Sequence, residues 1–544
     1  MGVSIYFSTF NAITYRRHTR KGTALFGSPD AMLILINPPV AKPCEPPAGI
    51  AKLAGVLAAH RYPFTVVDGN LEGLLYLLNA PHQPQDTWSR QACNKLKDNL
   101  AALRSRLLYA NLDRYKRAVA DVGRALLLAG AAHGATLTLA NYEEASLSPL
   151  NSADLLRAAA GPEKNPFYPW FAGRLSTLVE KKNPSLVGFS LNYLSQALTT
   201  FAMIGFLKKR FPELPLVVGG GLMTSWMRQP EWRNPFSGLV EHLVAGPGEE
   251  SLCSLLGIKA QAGHSSPDYG RLAANPYLAP GFILPYAAAS GCWWKRCSFC
   301  PEQAEGNPYA AISPNQVMAD IDRLAAATAP CLIHFLDNAI SPTLLQVLAA
   351  RPLPAPWYGF ARVTELIADR DFCRALRRSG CVMLKLGIES GDETVLEKMD
   401  KGIELQVASR ALAALHSAGI ATYVYLLFGT PAETLAAARK TLAFTRRHAA
   451  AITFLNLAVF NLPAINGPSS GLATRPFYDG DLSLYRDFEH PRGWNRKEVR
   501  LFLDREFKRD PAIRPILHRD PPLFTSNHAP FLHMGCQFPS GNTL

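Results

Sequence analysis

Cysteine is scarce in this chain: ten residues among 544, at positions 44, 93, 253, 292, 297, 300, 331, 373, 381 and 536. Disulfide frameworks belong to small, cysteine-dense exported domains, so this thin supply argues against one. Long apolar runs are also missing. No stretch reaches the ~18 to 20 residues a membrane span requires. The first thirty residues carry charges but no apolar segment of signal-peptide length. A cytoplasmic protein without a membrane span is the expectation. No basic run with interleaved aromatics occurs, so nucleic acid is not an expected partner. Lysine and arginine outnumber aspartate and glutamate by 56 to 43, a formal charge of +13. That surplus suits an anionic substrate, and scattered solvated side chains account for it equally well.

What remains is an ordinary globular composition, 48% hydrophobic and 18% charged, in a length that accommodates two or three domains. AMLILINPP (31–39) is an apolar run closing on a Pro-Pro turn and reads as a buried strand. A helical segment, GIAKLAGVLAAHR, and a second strand, YPFTVVDGN, follow. The same order returns in PSLVGFSLN (184–192), QALTTFAMIGFLKKRF, LPLVVGGG (214–221) and EHLVAGPGEE (241–250). Strands alternating with helices, each strand ending on Gly or Pro, describe a doubly wound parallel sheet over 31–258. Such sheets bind ligands beyond the carboxyl ends of their strands, where glycine admits a bulky group. Tight turns alone are the other explanation for these glycines. A polar helical stretch, about 83–175, interrupts the sheet as a lid or an insertion. Residues 1–30 form an N-terminal extension.

Residues 259–283, rich in Gly, Pro, Ser and Ala, read as a linker. A second alternating series fills 284–463. Its strands are YAAAS, CLIHFLDN (331–338), WYGFARV (357–363), VMLKLGIES (382–390), ATYVYLLFGTP (421–431) and ITFLNLAVFNLP (452–463). Six strand–helix repeats predict a partial (β/α)6 barrel, with functional residues at strand carboxyl ends. Residues 464–544, proline-rich with several histidines, form a C-terminal region over one barrel mouth. There His528, His533 and Cys536 fall within nine positions, a grouping that packing explains better than metal binding.

After the first barrel strand comes SGCWWKRCSFCPE, with Cys292, Cys297 and Cys300 inside nine positions. A structural zinc site needs a second pair of ligands at a suitable distance, which the sequence lacks. A catalytic thiol needs one cysteine. Three thiolates on one loop suit an iron–sulfur cube, where they bind three irons and leave the fourth open to a substrate or cofactor.

CWWKRCSFC resembles the cluster loop of radical S-adenosylmethionine enzymes, with one residue more than the usual C-x3-C-x2-C. The resemblance implies a [4Fe-4S] cluster on Cys292, Cys297 and Cys300. Its open iron binds the methionine amino and carboxylate groups, and an electron splits S-adenosylmethionine to a 5′-deoxyadenosyl radical. It also implies an electron donor such as a flavodoxin or ferredoxin. Phe299 matches the adenine-flanking position. Asp337 and Asn338 match the contact to the amino group, and Arg362 suits a carboxylate. Glu389 and Ser390 match the ribose or amino contact, and LLFGTPAET the turn past the adenine. Plain structural roles, a helix cap for Asp337 or an ion pair for Arg362, are the alternatives.

The preceding domain resembles the cobalamin-binding domain of one large subfamily. Asn37, Pro38, Ser190, Asn192, Gly219, Gly220, Gly221, Gly246 and Gly248 would then line the corrin and its nucleotide tail. The D-x-H-x-x-G motif that supplies a histidine below cobalt in other cobalamin proteins does not occur. Together these resemblances imply cobalamin-dependent methylation of an unactivated carbon in a small molecule, peptide or lipid. Rearrangement or cyclisation, with or without cobalamin, is the alternative. RNA methylthiotransferases resemble a different plan, with three further cysteines in the front domain. A non-catalytic iron–sulfur or zinc scaffold is a last alternative.

Overall fold

The computed structural model describes residues 13–14, 32–259, 263–467, 470–522 and 528–533. They divide into two compact units. The first takes the described residues of Met1–Ser105, Arg114–Phe282 and Tyr478–Leu484, and the second those of Arg106–Asp113, Ile283–Phe477 and Tyr485–Leu544.

The first unit is built on five parallel strands: β1 (Leu33–Asn37), β2 (Phe64–Asp68), β3 (Leu186–Ser190), β4 (Leu216–Gly219) and β5 (His242–Ala245). Their spatial order is β2-β1-β3-β4-β5. β1 and β3 are buried at every position, as strands covered by helices on both faces must be. The chain winds one way from β1 to β2 and the other way from β3 onward. The switch point therefore falls between the carboxyl ends of β1 and β3, where such sheets hold their ligands. Within the expected N-terminal extension, Ile13–Thr14 adds a two-residue antiparallel strand beside β5.

Apart from Arg106–Asp113, which belong to the second unit, the helical stretch is an insertion packed on this unit. It lies between helices Gly69–Asn79 and Tyr168–Lys182. Helix Ser152–Ala160 presses so closely on helix Leu194–Arg210 that a Cβ at Gly205 would stand 1.9 Å from the Ala159 carbonyl oxygen. Residues 263–282 depart from the linker expectation. Tyr269, Leu272, Tyr277 and Leu278, spaced among the small residues, are buried on the first unit. The Tyr277 hydroxyl donates to Asp68 at 2.7 Å, and Leu278 N–H donates to the Pro43 carbonyl.

The second unit is a six-stranded parallel sheet in sequential order: β6 (Ile283–Tyr286), β7 (Leu332–Phe335), β8 (Trp357–Ala361), β9 (Cys381–Glu389), β10 (Ala421–Phe428) and β11 (Phe454–Val459). Helices between strands start on Ser313, Ser341, Asp369, Asp392 and Thr434. Each of these side chains accepts from the N–H three residues on, satisfying a donor the helix leaves open. The first strand lies on ILPY rather than on YAAAS, whose last two residues pair instead with Ala310–Ala311. Beyond β11, three short antiparallel strands (Leu462–Pro463, Thr474–Pro476 and Tyr485–Phe488) and helix Arg496–Arg505 complete the unit. Residues 478–484 leave it: the Trp226 indole donates to the Leu482 carbonyl, and Asp481 binds Ser152, all within the first unit. No helix among the described residues is long and apolar enough to cross a membrane.

Gly205 and Gly123 make a paired test of the insertion. Helix propensity alone makes Gly→Ala stabilising by up to about 1 kcal/mol. Gly123, in helix Leu112–Ala131, has open space around an added Cβ, so Gly123→Ala raises the melting temperature. Gly205→Ala must push the packed helices apart and lowers stability by about 1–3 kcal/mol. Thermal denaturation of the two variants checks the opposite signs.

Candidate functional site

The cysteine loop is held from two sides of the barrel. Toward its start, Asp337 accepts from Ala288 N–H at 3.1 Å and Asn338 donates to the Gly291 carbonyl at 3.3 Å. Gly291 has φ +73°, and a Cβ there would lie 2.5 Å from the Pro308 carbonyl oxygen, so the turn into Cys292 requires glycine. Burial pushes the Asp337 carboxyl up to about 7. Asp337 and Asn338 thus hold the backbone that carries the thiols.

On the other side, residues 399–402 grip the loop. Ser298 N–H donates to the Met399 carbonyl at 3.0 Å, and the Trp294 indole donates to the Asp400 carbonyl at 3.2 Å. Arg296 pairs with Asp400 at 2.9 Å. The Trp294 ring lies 3.7 Å from the Arg362 guanidinium on one face. Beside the ring is Gly402, at φ +60°, where a Cβ would stand 2.3 Å away. Arg362 donates to the carbonyls of Lys401 and Gly402. The Lys401 ammonium pairs with Glu389 at 2.8 Å and lies 5.5 Å from the Phe299 ring centroid. Phe299 packs on the cluster of Val395, Met399 and Ala437.

Glu389 and Ser390, expected side by side at a ligand, diverge. Glu389 sits at φ +69° where the β9–β10 register shifts, and this bulge aims its carboxylate at Lys401. Ser390 is fully buried, its hydroxyl shared with Thr441 Oγ1 and accepting from Asp392 N–H. Its hydrogen bonds shape the turn into the following helix.

Cys292, Cys297 and Cys300 are half-exposed, whereas Cys44, Cys253, Cys331, Cys373 and Cys381 are buried. Burial pushes the Cys300 thiol up to about 12. It raises Cys297 too, while the charges of Lys401 and Arg362 pull the other way. Among the described residues no three His, Cys, Asp or Glu side chains converge as the donors of a single ion do. Thiolates that each bind a separate iron stand further apart and need no such convergence. Three half-buried cysteines on one loop, with two cations beside Cys297, fit an iron–sulfur cube. Three buried atoms nearby lack hydrogen-bond partners: Trp293 Nε1, Thr430 Oγ1 and Glu433 Oε1. The last two belong to the turn after β10, and an unpaired buried polar atom costs about 1–3 kcal/mol, which a polar ligand would relieve.

At the switch point of the first unit, Asn37 donates to Asp68 at 3.0 Å, and Gln196 donates to Asn37 Oδ1 and to the Pro38 carbonyl. Asn192 donates to Ser190 and accepts from Gly221 N–H at 3.0 Å. These polar side chains are largely spent on one another and make the crevice rigid. Gly220, at φ +106°, is required internally, since a Cβ would strike the Leu191 backbone at 2.5 Å. Gly246 has φ +85° and donates to Thr224, and Gly248 opens a helix against Leu53. Gly219 and Gly221 differ: added Cβ atoms would meet nothing nearer than 3.5 and 3.8 Å. Internal packing does not demand those two glycines, and the bare backbone edge they leave at the end of β4 fits a large flat ligand.

Residues 288–445 match the radical SAM superfamily. This barrel is a radical SAM domain. The chain is 23% identical to a hopanoid C-3 methylase of Methylococcus capsulatus over 45% of its own length and 53% of that relative. It is 24% identical to an anaerobic magnesium-protoporphyrin IX monomethyl ester cyclase of Rubrivivax gelatinosus, over 33% of this chain and 34% of the cyclase. It thus spans about half of one relative and a third of the other. Among solved structures, the cobalamin-dependent S-adenosylmethionine radical enzyme OxsB, with aqua-cobalamin and S-adenosylmethionine bound, superposes with a TM-score of 0.50. The match covers 78% of this chain and 52% of OxsB at 12% identity, a likeness of fold.

Trp294, Lys401 and Gly402 were not foreseen from the radical SAM resemblance; the one local hint was the glycine of MDKG. Gln196 and Asp68 were missed among apolar neighbours. A buried pair on the barrel strands, Lys385 with His334 at 3.2 Å, the latter stacked on Tyr358, was missed too. In the tail, His528 is buried between the Tyr423 and Phe454 rings and bound to Asp520 at 2.6 Å. Cys536 lies outside the described residues.

Gly402→Ala tests the grip on the loop. Its strained φ alone costs about 1–2 kcal/mol, and the new methyl also displaces Trp294. Anaerobically reconstituted Gly402→Ala is expected to hold less than about half the wild-type iron. Gly419→Ala carries the same backbone strain at φ +70° but meets only Arg377 at 3.9 Å, and should load iron normally. Iron-to-protein ratios decide between them.

Proposed function

We propose that this chain is a radical SAM enzyme that methylates an unactivated carbon. In this reading Cys292, Cys297 and Cys300 hold a [4Fe-4S] cluster, the barrel binds S-adenosylmethionine, and the doubly wound sheet binds cobalamin. When bound, these groups supply an electron, a 5′-deoxyadenosyl radical and a methyl group. The observation that carries the proposal is the half-exposed cysteine trio, clamped by 399–402 at the carboxyl end of the barrel strands.

The chain's own residues position and insulate. Arg362 and Lys401 set positive charge beside the Cys297 sulfur and oppose the burial that raises its thiol. Phe299, packed on Val395, Met399 and Ala437, offers an apolar face to a purine, and Thr430 and Glu433 offer it polar partners. Glu389, held by Lys401, accepts from the ribose or amino group. Gly219 and Gly221 admit a corrin at the β4 edge while the Asn37–Gln196–Asn192 network keeps the crevice open. The substrate is a small molecule, peptide or lipid, and a flavodoxin or ferredoxin supplies electrons.

Anaerobic reconstitution with iron, sulfide and cobalamin, followed by reductant and S-adenosylmethionine, tests this. Both 5′-deoxyadenosine and S-adenosylhomocysteine should accumulate. Cys297→Ala should lower 5′-deoxyadenosine at least 100-fold. 5′-Deoxyadenosine without S-adenosylhomocysteine would replace methylation with rearrangement, and neither product would contradict the proposal.

A further inference from the structure

The second unit contains a cavity of about 910 Å3 that no step above uses. Gly429, Val459 and Phe460 line one side of it, at the carboxyl ends of β10 and β11, where parallel barrels carry function. Its other walls come from the short antiparallel strands and from helix Arg496–Arg505. The volume is that of a pocket for a sizeable organic ligand.

Its lining is chemically specific. Five cations, Arg475, Arg486, Arg496, Lys497 and Arg500, face three carboxylates. Three of the cations are committed within the wall. Arg475 pairs with Asp487 at 2.6 Å, Arg486 donates to Thr474 Oγ1 at 3.0 Å, and Arg496 donates to Asn461 Oδ1 at 2.6 Å. Lys497 and Arg500, one turn apart on an exposed helix face, close no ion pair within 4 Å among the described residues, although the Arg500 charge helps to lower the Asp504 carboxyl, which Lys508 binds at 2.8 Å. Between the cations stand rings: Phe477 under the Arg496 guanidinium at 4.9 Å, with Trp494 and Phe460 also in the lining.

The wall is pre-set. Trp494 is locked by its indole N–H on Glu433 at 2.8 Å. His490 accepts from the Arg492 and Trp494 N–H groups through Nδ1 and donates from Nε2 to the Thr430 carbonyl at 2.8 Å. That bond ties the cavity wall to the turn after β10. A wall that carries aromatic rings beside two exposed cations is complementary to a ligand that is anionic at one end and ring-bearing at the other.

We propose that this cavity binds the substrate of the reaction proposed above, and that the substrate is a molecule with an apolar, ring-containing body and a carboxylate or phosphate group. The anionic group meets Lys497 and Arg500, and the body lies on Phe477 and Trp494. This assignment rests on the radical SAM reading for the word substrate, but not for the binding.

Two dyes of similar shape test it on the reconstituted protein: 8-anilinonaphthalene-1-sulfonate, which is anionic, and N-phenyl-1-naphthylamine, which is neutral. Wild-type protein should bind the sulfonate with an affinity that falls as potassium chloride rises, and the neutral dye without that dependence. Charge reversal in Lys497→Glu/Arg500→Glu should weaken the sulfonate at least tenfold and change the neutral dye less than twofold. Phe477→Ala should weaken both. Sulfonate binding that is absent, or unmoved by charge reversal, or weakened no more than the neutral dye, would overturn the proposal. Cys297→Ala should bind both dyes as wild type does. Cofactor cleavage that fails while dye binding stays charge-sensitive therefore removes the enzymatic reading and leaves the cavity assignment standing, and the converse outcome does the reverse.

Discussion

Trp294 stands against the Arg362 guanidinium on one face, beside a glycine that cannot be anything larger, and the rest of the candidate site depends on that contact. Once the indole is seated, the 292–300 loop has one place to go. Arg362 then spends its donors on the carbonyls of 401 and 402, which orients Lys401 toward Glu389 and brings both cations near the Cys297 thiol. Stacking of this kind is worth ~0.5–2 kcal/mol where water is partly excluded. Its larger effect is geometric, since the loop has little regular secondary structure of its own. The residue by which this loop exceeds the usual spacing is accommodated without loss of that seat: Lys295 takes a left-handed turn at φ +52° directly after the indole.

The doubly wound unit solves a different problem, keeping a crevice open without side chains that collapse into it. Order β2-β1-β3-β4-β5 leaves a gap at the ends of β1 and β3 by topology alone. Asn37, Asp68, Gln196, Asn192 and Ser190 then satisfy one another, so no lone polar group drives closure. Burial raises the Asp68 carboxyl even so, and the hydrogen bonds from Tyr277, Asn37 and the Leu71 N–H offset only part of that rise. The segment that contributes Tyr277 looks featureless in composition and is a structural strut.

What was legible in the sequence is what is written locally. The cysteine spacing lies within nine residues, and the alternation of apolar strands with capped helices repeats every few tens of residues, so the trio and both sheets could be read directly. The clamp could not, because Trp294 and Asp400 meet across 106 positions and nothing in either neighbourhood names the other. Glu389 and Ser390 look equivalent on paper; only the register shift at the end of β9 sends them apart. Residues 263–282 misled because their glycines and prolines outnumber the four apolar side chains that bury them. The cavity at the end of β11 was invisible for the same reason as the clamp: its walls come from strands and a helix that no local pattern connects.

The central claim is that three thiolates leave one iron free to bind an amino acid group. Electron–nuclear double resonance on the reduced, reconstituted protein measures this directly, using S-adenosylmethionine labelled with 17O in its carboxylate. Hyperfine coupling of the label to the cluster, present in wild type and lost in Cys297→Ala, is the result this account predicts. A cluster signal that the labelled ligand leaves unchanged, or no cluster signal at all, would contradict it.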